Sequence, residues 1–393
     1  TISFAVAPSG TSSHRLIVAS TSAIPSVAPR LDRPSALRDP AHRARYLVIA
    51  HPDFTAAASD LVALRAGQGM SAELVDLQDL YDEFSFGNVD ARAIRDFLAF
   101  AISAGTWADP PLYVLLVGDT TQDFQNRLGF ARSIFFLPHL ERVWERGTTT
   151  VAGQILATDT TYQTLVGEDA VPDLFVGRLS AQLASEVDAY ARKVRAYEAS
   201  GPAPWRSRSL FVVDDAVDAS DDPVTCGSPN QAEDFLLGVS SCYLANGAPN
   251  PGLVQVLMRL AGCGTQPVVS ELRRGVSLFL YVGHGAVNSY GRQSCCGSPL
   301  PAIFGTNDLA TLGNQAYPLG VSVSCDVGAI AWQDPRGGSS RSVGEAMTIY
   351  PDAGAIAFFG QTAPITEASG RGEVEGILDA LYEPLSRGSV YLP

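Results

Sequence analysis

An α/β fold carried on parallel sheets follows from three features of this sequence. Apolar runs of strand length recur along it, among them 46-YLVIA-50, 112-LYVLLVGD-119, 276-VSLFLYVG-283 and 354-GAIAFFG-360. Within each run successive residues are apolar rather than alternating, as in a strand covered on both faces. Amphipathic stretches of helical length separate the runs. With 46% hydrophobic and 17% charged positions over 393 residues, the chain can bury one large core or two ordinary ones. The predicted architecture is tandem parallel-sheet, three-layer (αβα) units behind a short β-prone segment.

The elements follow in order. Residues 1–42 hold two β-prone runs, 2-ISFAV-6 and 15-RLIVAS-20, and a Pro/Ser/Arg-rich connector that reads as a linker. The first unit, 43–202, opens on 46-YLVIA-50 and a helix over about 54–66, then 72-AELVDL-77 and a helix over about 90–103. It continues with 112-LYVLLVGD-119, 173-DLFVGRLS-180 and a charged helix over about 184–198, and ends at the break 200-SGPAPWRS-207. The second unit, 203–393, restarts with 209-SLFVVDD-215, helices over about 231–244 and 267–274, and 276-VSLFLYVGHG-285. Next come 318-PLGVSVSCDVG-328, a helix over about 342–349, 354-GAIAFFGQT-362, and a helix over about 373–383 that Pro384 is expected to stop.

Bulk properties narrow the function. A net charge of -14 repels phosphate backbones, so nucleic acid is not an expected partner. No apolar run approaches the ~18 residues of a membrane-crossing helix, so an integral membrane protein is not expected either. The chain opens on Thr1, which reads as a processed or cropped product, and no signal peptide is legible. Cys226, Cys242 and Cys263 sit in Gly/Ser/Pro-rich loops or helix ends, and Cys295 and Cys296 are adjacent. Loop cysteines suit an extracellular or cell-surface protein with one or two disulfides, because free surface thiols oxidise.

In open parallel sheets, functional groups gather beyond the carboxyl ends of the strands. Asp119, Asp214/Asp215, His284 and Cys325 fall there. Cys325 directly follows 319-LGVSVS-324, and His284 ends the preceding strand 41 residues earlier, between Gly283 and Gly285. Alone, a strand-end cysteine is more often inert core, and a Gly-His-Gly corner is as often a turn. Together they form a thiol nucleophile with an imidazole able to take its proton and return one to a leaving amine. The backbone N–H groups of Gly285 and Cys325 are candidates for an oxyanion hole, since Gly285 has no Cβ in the way.

Asp214 or Asp215 is placed to orient the histidine by accepting its other ring N–H. The acidic loop 214-DDAVDASDD-222 reads equally as helix capping or calcium ligation. No G-x-S-x-G elbow and no GxGxxG fingerprint is present, which speaks against serine hydrolases and dinucleotide enzymes. His14, His42, His51 and His139 lack metal-like spacing and read as surface or turn residues.

Taken in order, 46-YLVIAHPDF-54, 112-LYVLLVGD-119, 172-PDLFVGRLS-180, 196-AYE-198, 282-VGHG-285, 323-VSCDVG-328, 343-VGEAM-347 and 353-AGAIAFFGQT-362 resemble the gingipain family of cysteine peptidases, part of the caspase-like group. The resemblance implies a second, caspase-like unit that carries a His284/Cys325 dyad. Asp214 or Asp215 would support the histidine, and the Gly285 and Cys325 N–H groups would form the oxyanion hole. It implies protein or peptide substrates, secretion, no cofactor required for catalysis, a structural calcium, and adjacent β-sandwich modules of which residues 1–42 would be a remnant.

Gln361, Thr362 and Glu367 fall on the expected substrate wall, 361-QTAPITEASG-370. The family's acidic selector of basic P1 residues has Pro229 at the matching position, so basic specificity is not carried over. Two other readings keep the dyad residues: a sortase-like transpeptidase processing exported proteins, and a catalytically idle surface or adhesion module.

Overall fold

Leu47, Val48, Ile49 and Ala50 are all fully buried, as a strand with helices on both faces requires. They belong to β1 (Tyr46–Ala50), which pairs in parallel with β2 (Ala72–Asp76) and β3 (Tyr113–Val117). Their side chains alternate between two cores. Leu47 and Ile49 pack with Leu77 and Leu80 of α2 (Leu77–Ser85) and Ile94 and Phe97 of α3 (Ala91–Ile102). Val48 and Ala50 face Ala58 of α1 (Thr55–Gly67) and Val187 of α4 (Ala184–Ala199). The Asp90 side chain caps α3 by accepting the Arg92 N–H at 2.9 Å.

The computed structural model describes residues 34–123, 137–138, 140–144, 154–167, 169, 171–214, 231–240, 252–257, 261–291, 301–332, 341–365 and 367–386. From Ala36 onward these form one compact unit. Among them, β1, β2 and β3 are joined by β6 (Phe175–Leu179) in a four-stranded sheet of order β2-β1-β3-β6, and β4 (Leu140–Trp144) pairs with β5 (Gln154–Thr158) in an antiparallel hairpin.

A five-stranded parallel sheet follows, in the order β13-β12-β9-β7-β8: β7 Arg208–Val213, β8 Gly252–Leu257, β9 Leu278–Val282, β12 Leu319–Val323 and β13 Ala357–Phe359. One face is closed by α6 (Gln266–Arg274), α7 (Leu309–Leu312) and α8 (Val343–Ile349), which pack on Leu210, Val212, Phe279 and Tyr281. The other packs Phe211, Val213, Leu280 and Val323 against Phe235 and Leu236 of α5 (Gln231–Ser240) and Val374 and Leu378 of α9 (Glu367–Ser386). Beyond β9 a short hairpin pairs β10 (Gly285–Ala286) with β11 (Ser289–Tyr290).

The structure has the expected α/β class and parallel sheets, with differences in detail. Helix α2, the hairpin β4–β5 and strand β8 were not read from the sequence. Leu253, Val254, Val256 and Leu257 are interrupted by Gln255, and β8 sits at the sheet edge, where hydrophobic continuity is not required. Helix α9 begins at Glu367 rather than near residue 373, and Pro384 does not stop it, because the helix runs to Ser386. A proline in the last turn forfeits one bond, to the carbonyl four residues back, where the helix is about to end anyway. The β-prone runs of residues 1–33 lie outside the described residues.

The two large sheets meet through α4. Arg341, just before α8, makes paired bonds of 2.7 and 2.9 Å to the Glu186 carboxylate on α4. Asp119, at the end of β3, is 4% exposed and accepts from the Gln182 side chain at 2.6 Å. Burial, and then the charge of Glu345 on α8, hold the Asp119 carboxyl well above its usual pKa. Asp119 is thus a seam residue that follows a strand of the first sheet, whereas Asp214, His284 and Cys325 follow strands of the second.

Candidate active site

The parallel pairing of β9 with β12 matches Val282 with Val323, so the two strands leave the sheet level with each other. His284 and Cys325 each come two residues later. The corner between them is close-packed. An added Cβ on Gly285 would lie 2.5 Å from the Cys325 carbonyl and 2.8 Å from the Ser324 Cβ, so glycine is what lets the two strand ends touch. Gly283 has φ +152°, and a Cβ there would run into the Asp214 carboxylate. It also donates its N–H to the Val323 carbonyl at 3.1 Å, tying the corner to β12.

Both sides of the His284 main chain are clamped. Its N–H donates to Asp214 Oδ2 at 2.6 Å, and its carbonyl accepts from the Tyr281 hydroxyl at 2.8 Å and the Gly291 N–H at 2.7 Å. Asp214 is 1% exposed at the end of β7, the strand on the other side of β9. Tyr281 is fully buried, and burial together with the nearby Asp214 charge raises its pKa well above the ordinary value, so the hydroxyl stays a donor. The His284 side chain is exposed and Cys325 is half-buried. Cys325 is the free cysteine among the described residues, whereas Cys263 is disulfide-bonded.

Directly after Cys325 the chain turns sharply, with Asp326 in the left-handed region at φ +61°. Burial raises the pKa of its carboxyl. The turn is stitched to the segment beyond β13: Gly328 N–H donates to the Gln361 carbonyl at 2.8 Å and Ser324 N–H to Gln361 Oε1 at 3.1 Å. Cys325 Sγ lies 3.8 Å from the Ile365 carbonyl. Residues 361–365 therefore form a wall along the thiol. A cleft of about 450 Å³ runs between β6 and β13, lined in part by Arg178, Glu345, Phe358, Gln361, Thr362 and Ile365.

The sequence expectations meet this geometry unevenly. His284, Gly285, Cys325 and Asp214 come together. Asp214 reaches the corner through the His284 backbone N–H, and Tyr281, which reads in the sequence as one more core residue of an apolar strand, completes the clamp. Gln361 and Thr362 lie on the wall, but the Gln361 amide is engaged by Ser324 and by Glu373, to which its Nε2 donates at 2.8 Å. Glu367 opens α9. Asp215, Pro229 and the rest of the acidic loop after Asp214 lie outside the described residues. Among the described residues no three His, Cys, Asp or Glu side chains converge as metal ligands.

Residues 39–390 match peptidase family C25. Solved structures share the fold. The Arg-specific cysteine proteinase gingipain R superposes with TM-score 0.61 at 18% identity, covering 86% of this chain and 67% of that one. The complex of Porphyromonas gingivalis RgpB pro- and mature domains gives 0.59 at 18% identity, over 86% and 68%. A structure described as a protease gives 0.58 at 21% identity, over 83% and 60%. No curated protein sequence matches the chain.

Proposed function

The chain belongs to peptidase family C25, a family of cysteine peptidases, and from that premise we propose that it is an endopeptidase working through His284 and Cys325. The Cys325 thiolate attacks the scissile carbonyl carbon, forming a thioester after collapse of the tetrahedral intermediate. His284 takes the thiol proton and delivers it to the departing amine, then activates the water that hydrolyses the thioester. The N–H groups of Gly285 and Cys325 hold the oxyanion. Asp214 acts as a positioning residue that fixes the His284 corner, and Thr362 with the main chain of Gln361 lines the bound peptide.

The observation that supports this reading is the level exit of β9 and β12, which brings the main chains of His284 and Cys325 to the same carboxyl-terminal end of one sheet, where Cys325 is a free thiol. In domain terms the reading assigns the chemistry to 203–393 and a supporting role to 43–202. Action outside the cell is part of the proposal, supported by the disulfide at Cys263. The reaction needs no metal, and a structural calcium is assigned no step in it. The test is digestion of a broad peptide library followed by mass spectrometry. Hydrolysis products with free carboxyl termini, lost in Cys325→Ala, are expected, whereas unchanged cleavage by that variant overturns the proposal.

A further inference from the structure

Lys193 is the only lysine in the chain, and it is 1% exposed. From α4 its Nζ crosses to the second sheet and donates to three backbone carbonyls: Met347 at 3.2 Å, Ala353 at 3.1 Å and Ala355 at 3.2 Å. An ammonium has three N–H donors and no acceptor, so the cage matches it donor for acceptor. A buried cation among neutral carbonyls is costly, and a packing role would be served by methionine at less expense of free energy. The arrangement therefore asks what the three carbonyls have in common.

They bracket one turn. Ala355 N–H donates back to the Met347 carbonyl at 2.8 Å. From the opposite side the Asn314 side chain holds Gly354, accepting its N–H at 2.8 Å and donating to its carbonyl at 2.8 Å. The turn feeds straight into β13, which pairs with β12 as Leu319 with Ala357 and Val321 with Phe359. Two residues past β13 is Gln361, bonded to Ser324 and Gly328 on either side of Cys325. A chain of direct bonds thus runs from Lys193 to the wall of the thiol.

Resting on the reading of Cys325 as nucleophile, we propose that Lys193 is a positioning residue of the active site, whose caged ammonium sets β13 and the Gln361–Ile365 wall against Cys325. It touches no substrate. A neutral amine keeps only two N–H groups and turns a lone pair to the third carbonyl, so deprotonation loosens the cage. The ionisable groups facing it are Asp352, in the turn itself, and Tyr317, whose ring centre is 5.7 Å from Nζ. Burial pulls the Lys193 pKa down to about 7, and Asp352 opposes that pull.

The experiment compares the full chain with Lys193→Met and Asp352→Asn. The second change is mild, because Asp352 is exposed at φ +57°, a conformation asparagine tolerates. Three quantities are read: kcat/KM on a peptide the wild type cleaves, the rate of Cys325 alkylation by iodoacetamide, and hydrogen exchange over 353–363. Lys193→Met is expected to lose kcat/KM roughly 10- to 100-fold while alkylation stays within about twofold and exchange rises over 353–363, its excess over wild type shrinking as pH rises through the Lys193 pKa.

Asp352→Asn is expected to show the same loosening, with onset at lower pH, and it decides the matter if Lys193→Met does not fold. Unchanged kcat/KM and exchange, or an alkylation loss in proportion to hydrolysis, overturns the positioning role. A wild type that cleaves no peptide overturns the peptidase reading instead, and the exchange comparison still decides whether Lys193 sets the wall.

Discussion

His284 and Cys325 stand level at the ends of neighbouring parallel strands, each two residues beyond the paired Val282 and Val323. Strand pairing fixes this relationship, so it is as rigid as the sheet itself. On the proposed mechanism, loss of either residue abolishes the same activity while leaving the fold in place. Cys325→Ala is expected to reduce peptide hydrolysis to background, and His284→Ala to lower kcat by roughly 10²- to 10⁴-fold. Thermal melting of both variants should stay near wild type, since neither side chain is buried core.

Asp214 holds the main chain of His284, so an acceptor oxygen matters there more than a charge. Asp214→Asn, which keeps an acceptor, is expected to retain kcat within roughly tenfold. Asp214→Ala leaves the part-buried His284 N–H without this acceptor and is expected to cost about 1 kcal/mol of stability along with most of the activity. Equal losses in the two variants, measured by steady-state kinetics and denaturant melts, would point to the carboxylate charge acting on the imidazole ring.

Gly285→Ala places a methyl 2.5 Å from the Cys325 carbonyl. Backbone cannot yield as a side-chain tip does, so the β9 and β12 ends are expected to part. kcat/KM should fall by roughly 100-fold while iodoacetamide still alkylates Cys325, which separates a misaligned pair from a lost nucleophile.

His42 gives the first sheet a pH dependence of its own. Its Nδ1 lies 2.6 Å from Glu73 Oε2 on β2 and its Nε2 lies 2.8 Å from the Ala36 carbonyl, both acceptors, so the ring satisfies them only as imidazolium. Burial works against that charge, but the Ala36 carbonyl and Glu73, with Asp39 adding to them, outweigh it and raise the pKa above 6.5. A raised folded pKa means the stabilisation is full below the unfolded value of 6.5 and fades as pH rises through the folded one. Melting temperatures from about pH 5 to 9 should therefore fall more steeply in wild type than in His42→Gln.

Apolar runs such as 46-YLVIA-50 and 276-VSLFLYVG-283 made the parallel sheets legible, because a strand buried on both faces leaves no alternation to misread. The same logic fails for β8, whose edge position tolerates Gln255, and for the start of α9, where Ala368, Ser369 and Gly370 give no apolar period. His42 reads from sequence as a surface or turn residue, yet the fold gives it Glu73 from 31 positions away.

By itself, the sequence determined the α/β class, the strand ends and the residue types placed on them, because burial and turn chemistry are local demands. Only the tertiary structure decided which strand lies beside which, and therefore that β9 and β12 exit in register, that Asp214 and Tyr281 grip the His284 backbone, and that a lone lysine reaches across from α4. Those contacts span 70 residues in Asp214–His284 and 154 in Lys193–Met347. Partners so far apart are chosen by sheet order and helix packing, which no local pattern encodes.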